Sequence, residues 1–334
     1  MLPLDVNNIF SNAPSLFNQT ALDLYAYQYS ANKVYQRWCD LIIPAQHPKN
    51  EAGVPVMDHY TQIPAMPIGF FKTETVQTGN YEQVLYFESS GTTGTEQSKH
   101  YIKDESLYQQ SFMTAFEAVY GSIQNWCIIG LLPAYLERPH SSLVYMVEHL
   151  IKASNNAQSG FYLYDHEALS QTLKANEAAG QKTLLIGVTF ALLDFAAKFQ
   201  MPLEHTTILE TGGMKGRRKE LTREEVHAEL MDAFKVKSIH GEYGMTELLS
   251  QAYATGNGMY KCPPWMRVLV IEEEDPLTVK TSGRGTLQVI DLANVHSCSF
   301  IATEDVGAVY ADGSFEVFGR MDHSALRGCS LMVL

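Results

Sequence analysis

Between residues 106 and 239 the chain alternates short apolar runs with longer stretches of helical periodicity, and this alternation restricts the fold more than any other feature. Residues 126–132, 183–188, 206–210 and 236–239 read as strands, and 106–120, 141–153, 166–179 and 189–199 as helices. Gly180 is placed to end the third of these helices. Thr222 with Glu225 makes a capping box for a further helix running to Phe234. Strands separated by helices of this length need crossover connections, so the expected class is α/β, with largely parallel sheet covered by helices. From Val268 the texture changes to short strands at 268–271, 286–290, 308–310 and 315–318. Asp312-Gly313 is a hairpin turn between the last two. Residues 20–38 read as one helix, followed as far as Phe71 by Pro and turn residues that wrap the core and close one side of a pocket.

In such a sheet ligands sit at the carboxyl ends of strands, and the loops there carry the chemistry. Val84-Leu85-Tyr86-Phe87 reads as the end of a buried strand, and Ser89, Ser90, Gly91, Thr92, Thr93 and Gly94 follow it. The glycines let backbone N–H groups approach an anion, the hydroxyls donate further hydrogen bonds, and Lys99 adds charge. This is a cradle for a triphosphate, set between a strand and the helix at 106–120. Its spacing is not that of the P-loop, because four residues separate Gly94 from Lys99 and His100 follows. An ordinary Ser/Thr/Gly surface loop has the same composition, so the loop alone leaves both readings open.

Three later stretches bear on that choice. Thr211-Gly212-Gly213-Met214 follows a strand, where paired glycines let a flat ring lie against the backbone; a permissive strand-to-helix turn is the plainer reading. His240-Gly241-Glu242-Tyr243-Gly244-Met245-Thr246-Glu247 offers an aromatic face for a base, a hydroxyl for a phosphate and a carboxylate for Mg²⁺, or else a helix cap. Asp305, within Thr303–Gly307, can accept from both ribose hydroxyls, and Arg320 in Gly319-Arg320-Met321-Asp322 can neutralise a phosphate; a solvated hairpin is the alternative.

Composition narrows the partners. A net charge of −13 argues against nucleic acid or an anionic membrane as the main partner, and requires any nucleotide site to be locally basic. The five cysteines, at 39, 127, 262, 298 and 329, form no C-x-x-C pair, as expected of free thiols in a reducing cytoplasm. Cys127, inside an apolar run, reads as core, and Cys262 and the His296/Cys298 pair match no zinc spacing. Neither a secretory leader nor an apolar run long enough to span a bilayer is visible, so a cytoplasmic location is expected.

Taken in order, Ser89-Ser-Gly-Thr-Thr-Gly94, Gly212-Gly213, Tyr243-Gly-Met-Thr-Glu247, Asp305 and Gly319-Arg-Met-Asp322 resemble the core motifs of the adenylate-forming superfamily, which includes acyl-CoA synthetases, luciferases and phenylacetate–CoA ligases. The resemblance runs from about Phe87 to the end of the chain, and the 243–247 motif is its most specific part. It implies the large N-terminal domain of those enzymes: an N-terminal segment (1–80), a nucleotide- and acyl-binding core (81–265) and a β-rich subdomain (266–334). The implied roles are phosphate binding by Ser89 to Gly94 with Lys99, an adenine wall of Gly212, Gly213 and Met214, and a stack of Tyr243 on the base beside Gly244. Thr246 would bind the α-phosphate, Glu247 hold Mg²⁺ and Asp305 bind the ribose.

Departures from the superfamily pattern also carry information. There the Gly-Arg-x-Asp motif is a hinge into a mobile domain bearing a catalytic lysine; here the sequence stops at Leu334, and Leu326 and Arg327 stand near the place of the hinge-following lysine. The segment Arg327-Gly328-Cys329-Ser330-Leu331 could instead bring a thiolate to an acyl-adenylate, although a lone cysteine is more often simply a small buried residue. Length, missing lysine domain and Arg-Gly-Cys-Ser-Leu ending resemble the acyl-protein synthetases (long-chain-fatty-acid–luciferin-component ligases) of bacterial fatty acid reductase systems. In that family a near-terminal cysteine carries the acyl group before it passes to a reductase.

The expected activity is therefore ATP- and Mg²⁺-dependent activation of a carboxylic, in first place fatty, acid, with transfer to Cys329 and onward to a reductase or carrier protein. Apolar segments at 126–135 and 189–199 are candidates for the acyl pocket, and His240 for orienting the acid. Two other readings stand beside this one: a phenylacetate-type CoA ligase whose second domain lies in another chain, and a nucleotide-binding protein without turnover.

Overall fold

Strand formation follows the apolar runs, and the crossover helices follow the periodic stretches between them. In the computed structural model the described residues are 9–10, 14–89, 97–133, 139–212, 221–272 and 278–321. The parallel part of the sheet consists of β4 (Cys127–Leu131), β5 (Gly160–Phe161), β6 (Thr183–Gly187), β7 (Thr206–Glu210) and β8 (His240–Tyr243), paired in the order β5-β4-β6-β7-β8. Every residue of β4 and β6 is buried, as strands covered on both faces must be. The helices between them are α4 (Glu105–Tyr120), α5 (Ser142–Ser154), α6 (His166–Ala179), α7 (Thr189–Ala196) and α8 (Arg223–Phe234). Gly180 takes the left-handed conformation at the end of α6 (φ 63°), and Thr222 and Glu225 close the capping box of α8.

Beyond β8 the same sheet continues antiparallel through β9 (Ala252–Ala254), β10 (Tyr260–Lys261), β15 (Phe315–Arg320), β14 (Phe300–Val309), β13 (Gly283–Asp291), β11 (Met266–Ile271) and β12 (Val279–Lys280), with β1 (Met66–Pro67) pairing parallel to β14. The C-terminal strands are longer than their apolar cores suggest; β14 runs ten residues, because polar residues such as Thr303 and Asp305 lie within it rather than in loops. Gly313, at φ 80°, makes the turn between β14 and β15.

Four local expectations are corrected. The helix expected over 20–38 is two, α1 (Phe17–Ala31) and α2 (Lys33–Ile42), broken at Asn32. Asn32 is extended, accepts the amides of Val34 and Tyr35, and donates to the Ser297 carbonyl (3.0 Å), a tertiary bond that an uninterrupted helix would not allow. The strand expected at 236–239 lies instead at 240–243, so the start of the Tyr243 motif is itself strand. The loop after residue 89 joins two antiparallel strands, β2 (Leu85–Glu88) and β3 (Lys99–Ile102), rather than a strand and a helix. These two form a sheet of their own; Phe87 is the one buried residue of β2, and Val84, just before it, is exposed. A short helix, α3 (Phe70–Thr73), completes the elements and sets Phe71 edge-on to His100 of β3.

Candidate active site

Tyr243, Thr246, Glu247, Asp305 and Arg320 gather where β8, β14, β15 and the β2–β3 hairpin meet. Asp305 of β14 and Arg320 of β15 are direct cross-strand neighbours, and Arg320 Nε donates to Asp305 Oδ1 at 3.1 Å. Tyr243, at the end of β8, donates its hydroxyl to Asp305 Oδ2 at 2.8 Å and meets the edge of Phe315 with ring centroids 5.2 Å apart. Burial and the Asp305 charge push the Tyr243 hydroxyl far above its ordinary value, so it remains a donor. Burial opposes the charge on Arg320, but the Asp305 carboxylate outweighs it and raises the guanidinium further.

The turn after β8 is fixed from below. Buried Asp291 accepts from the amides of Leu249 and Ser250 (2.8 and 3.0 Å) and from the Ser250 hydroxyl (2.6 Å). Asn294 donates to the Glu247 carbonyl at 2.8 Å. From the hairpin, His100 Nδ1 donates to the Thr246 carbonyl at 2.8 Å. Burial pushes the His100 pKa down to about 4, so the ring is neutral and holds this backbone as a fixed donor. The Glu247 side chain is buried, and desolvation raises its pKa despite the Ser98 hydroxyl and the positive charges of Arg320 and Lys72. A buried carboxylate whose charge is incompletely offset suits Mg²⁺, which keeps its waters and takes one or two carboxylates plus substrate phosphates.

The loop neck is closed by the Ser89 amide on the Ser98 carbonyl (3.1 Å) and by the Ser98 amide on Ser89 Oγ (3.0 Å). Lys99 lies at this neck, 3.5 Å from Glu88 and over the Tyr86 ring. Gly212 has φ 76° with open space where a Cβ would stand, and its amide donates to Glu210 Oε1 at 2.9 Å. Gly244 is close-packed; a Cβ there would come within 2.4 Å of Glu242 Oε1. His240 stacks on Tyr120, with Nδ1 3.1 Å from that hydroxyl. Ser90, Gly91, Thr92, Thr93, Gly94, Gly213, Met214 and Cys329 lie outside the described residues.

Sequence reasoning missed His100, Ser98, Lys72, Asp291 and Asn294. Each acts only through tertiary contact, as His100 does on the Thr246 carbonyl, and the sequence carries no signal for it.

A family profile described as "Acyl-protein synthetase, LuxE" matches residues 6–334. The chain belongs to the LuxE acyl-protein synthetase family. No curated protein sequence matches it significantly. Among solved structures, ATP-bound MatB from Rhodopseudomonas palustris is similar at TM-score 0.52 and 14% identity, over 70% of this chain and 47% of that one. O-succinylbenzoate coenzyme A synthetase (MenE) from Bacillus subtilis, in complex with ATP and magnesium, gives 0.51 and 15%, over 73% and 53%. A long-chain-fatty-acid–CoA ligase (FadD1) from Archaeoglobus fulgidus gives 0.51 and 14%, over 74% and 53%. These likenesses establish the fold of this LuxE-family chain, which spans about half the length of those neighbours. No helix among the described residues is long and apolar enough to cross a membrane.

Proposed function

We propose that this LuxE-family chain uses ATP to convert a carboxylic acid, in first place a fatty acid, into an acyl-adenylate and then passes the acyl group to a thiol, its own Cys329. The observation that carries this reading is the convergence of Tyr243, Asp305 and Arg320 with Thr246 and Glu247 at the carboxyl end of β8. Membership of the family and the ATP-binding neighbours of the same fold support it.

In this mechanism the hairpin loop from Ser89 through Gly94, with Lys99 at its base, receives the β- and γ-phosphates, and Gly212, Gly213, Met214 and Gly244 border the base. Tyr243 offers its ring to the adenine. Asp305 takes the ribose hydroxyls, exchanging part of its bonding with Tyr243 and Arg320 for them. Thr246 holds the α-phosphate, kept in position by the His100 bond to its carbonyl. Glu247 holds Mg²⁺, which when bound supplies positive charge against the phosphates. A carboxylate oxygen of the acid attacks the α-phosphorus, and the bond to pyrophosphate breaks. Fixed donors aimed at the charge that develops lower the barrier most. The thiolate of Cys329 then attacks the acyl carbon and expels AMP, leaving a thioester for a reductase or carrier protein.

Acid-dependent ATP–pyrophosphate exchange tests the first step. We expect exchange with fatty acids, a loss of at least about 100-fold in Glu247→Gln, and unchanged exchange but no hydroxylamine-labile acyl mass in Cys329→Ser. Normal exchange in Glu247→Gln removes its role, and persistent label in Cys329→Ser moves the acceptor elsewhere. CoA-dependent AMP release would favour a CoA ligase completed by a second chain, and ATP binding without exchange a non-catalytic protein.

A further inference from the structure

The turn after β7 carries Gly212, one of the residues placed against the base, and the surrounding chain holds it from both sides. Its amide donates to Glu210 Oε1 at 2.9 Å, and its carbonyl accepts from the Thr189 amide at 3.2 Å. The residue before it is held as well, since the Thr211 amide donates to the Gly187 carbonyl at 3.1 Å. Gly212 stands at φ 76°, and glycine has more conformational freedom to lose than any other residue. Left free, such a turn would have to be ordered each time a ligand bound. Here folding has already ordered it.

Glu210 supplies the side-chain half of this clamp. It is buried at the end of β7, in register with Gly241 of β8. Partners in register point to the same face of a sheet, and so does the residue two further along a strand, so Glu210, Gly241 and Tyr243 share one face. The space over Gly241 is filled by the Tyr260 hydroxyl, 2.7 Å from where a Cβ would stand, and the Tyr260 ring lies 5.9 Å from that of Tyr243. The carboxylate is itself kept in place. The Thr189 hydroxyl, from the first residue of α7, donates to the same Oε1, and buried His227 of α8 brings Nε2 to 3.9 Å from Oε2. Burial works against its charge, but His227, the Thr189 hydroxyl and Arg223 outweigh it and hold the pKa below the ordinary value. Packing does not call for a carboxylate here, since an apolar side chain of similar volume fills such a place at less cost. What the charge adds is a strong, fixed acceptor for the Gly212 amide.

We propose that Glu210 is the positioning residue of the base subsite: by holding the Gly212 amide it fixes the turn so that the open space at Gly212 receives the adenine, while Tyr243 offers its ring from the same face of the sheet. The inference rests on the adenylation reading above. Glu210 touches neither the nucleotide nor a reacting atom; it acts through Gly212. Its contribution is confined to ligands that carry the base, and it is the same in the ground state as in the transition state. The effect therefore falls on the KM for ATP and not on kcat.

The test compares wild type, Glu210→Ala, Glu210→Gln and Thr189→Val by calorimetric titration with AMP and with magnesium tripolyphosphate, which has phosphates but no base. Glu210→Ala should weaken AMP about tenfold or more, the range for a lost bond to a charged group, and leave tripolyphosphate unchanged. Glu210→Gln keeps an oxygen for the Gly212 amide and should recover most of the AMP affinity. Thr189→Val removes only the hydroxyl that aims Oε1; it should show a smaller loss of the same kind, and it carries the test if Glu210→Ala does not fold. In ATP–pyrophosphate exchange Glu210→Ala should raise the KM for ATP by the same factor. The KM for a fatty acid, and kcat at saturating ATP, should keep their wild-type values. Equal losses for AMP and tripolyphosphate, or wild-type AMP affinity in whichever of Glu210→Ala and Thr189→Val folds, would overturn the assignment and leave Glu210 a packing residue. If wild type binds AMP but exchanges pyrophosphate with no acid, adenylation fails while the AMP affinities still decide the role of Glu210. If wild type binds no AMP, both fall.

Discussion

His100 illustrates how much a single side chain can set without touching a substrate. It is almost wholly buried between Phe71 and the Thr246 carbonyl, and it remains neutral because charging it there would cost more than its bonds to the Thr246 carbonyl and the Asn294 side chain return. An unfolded histidine takes up its proton near pH 6.5, the folded one only near pH 4. The sign follows from this difference. Above pH 6.5 the residue costs nothing; as pH falls below it the unfolded chain binds a proton that the folded chain refuses, and stability declines until about pH 4. From His100 alone the loss reaches about 3 kcal/mol. Urea unfolding at pH 7 and pH 5 should show it, and His100→Gln, which keeps a donor for Thr246, should show a shallower decline. Equal declines would mean that the ring is solvated. At this scale the sequence singles out Tyr243, Thr246, Glu247 and Asp305 as candidates, because each has a distinctive neighbourhood in the chain, and the structure brings Tyr243 and Asp305 into contact. His100 and Asp291 were not recognised for what they do, since their environments are assembled from residues far away in sequence.

Among the elements, β14 does the most to shape the site, because it carries Asp305 between two partners. Gly307 lies two residues further on, and a Cβ there would meet the Glu316 backbone oxygen of β15 at 2.1 Å. The β14–β15 register shifts between Val306 and Gly307, which re-aims the strand so that Asp305 faces Arg320. Gly307→Ala should therefore push the two strands apart, destabilise the protein by about 3 kcal/mol, and weaken ATP binding through the Asp305–Arg320 pair. A variant as stable as wild type, measured by urea denaturation, would show that the strands separate without cost. The element pattern was easy to read where periodicity was strong, as in α6 and β7, whose bounds were anticipated. It failed at Asn32 and at β8. A buried side-chain bond to Ser297 broke an otherwise continuous helix, and the polar sequence His-Gly-Glu-Tyr concealed a strand whose facing groups lie on other elements.

For the molecule as a whole, the parallel and antiparallel regions are one sheet joined at the β8–β9 pair, directly beneath the site. The N-terminal segment is tied to the antiparallel region, at the loop between β13 and β14. Gln28 donates to the carbonyls of Asn294 and Val295 (3.0 and 3.1 Å), and Thr78 bonds Ser297. With the two regions joined in one sheet, calorimetry should show one endotherm that ATP moves upward as a unit; two separate transitions would refute this coupling. The β2–β3 hairpin is the exception to that continuity. It belongs to another sheet and meets the core through side chains and through the Glu88 amide on the His140 carbonyl (2.8 Å), while the Ser89–Ser98 bonds and the Glu88–Lys99 ion pair close its neck. A neck sealed in this way insulates the protein from change in the loop. Residues gained, lost or exchanged between 89 and 98 do not alter the register of any strand in the main sheet. A change in that loop can therefore abolish phosphate handling while leaving in place the strands that carry Tyr243, Asp305 and Arg320.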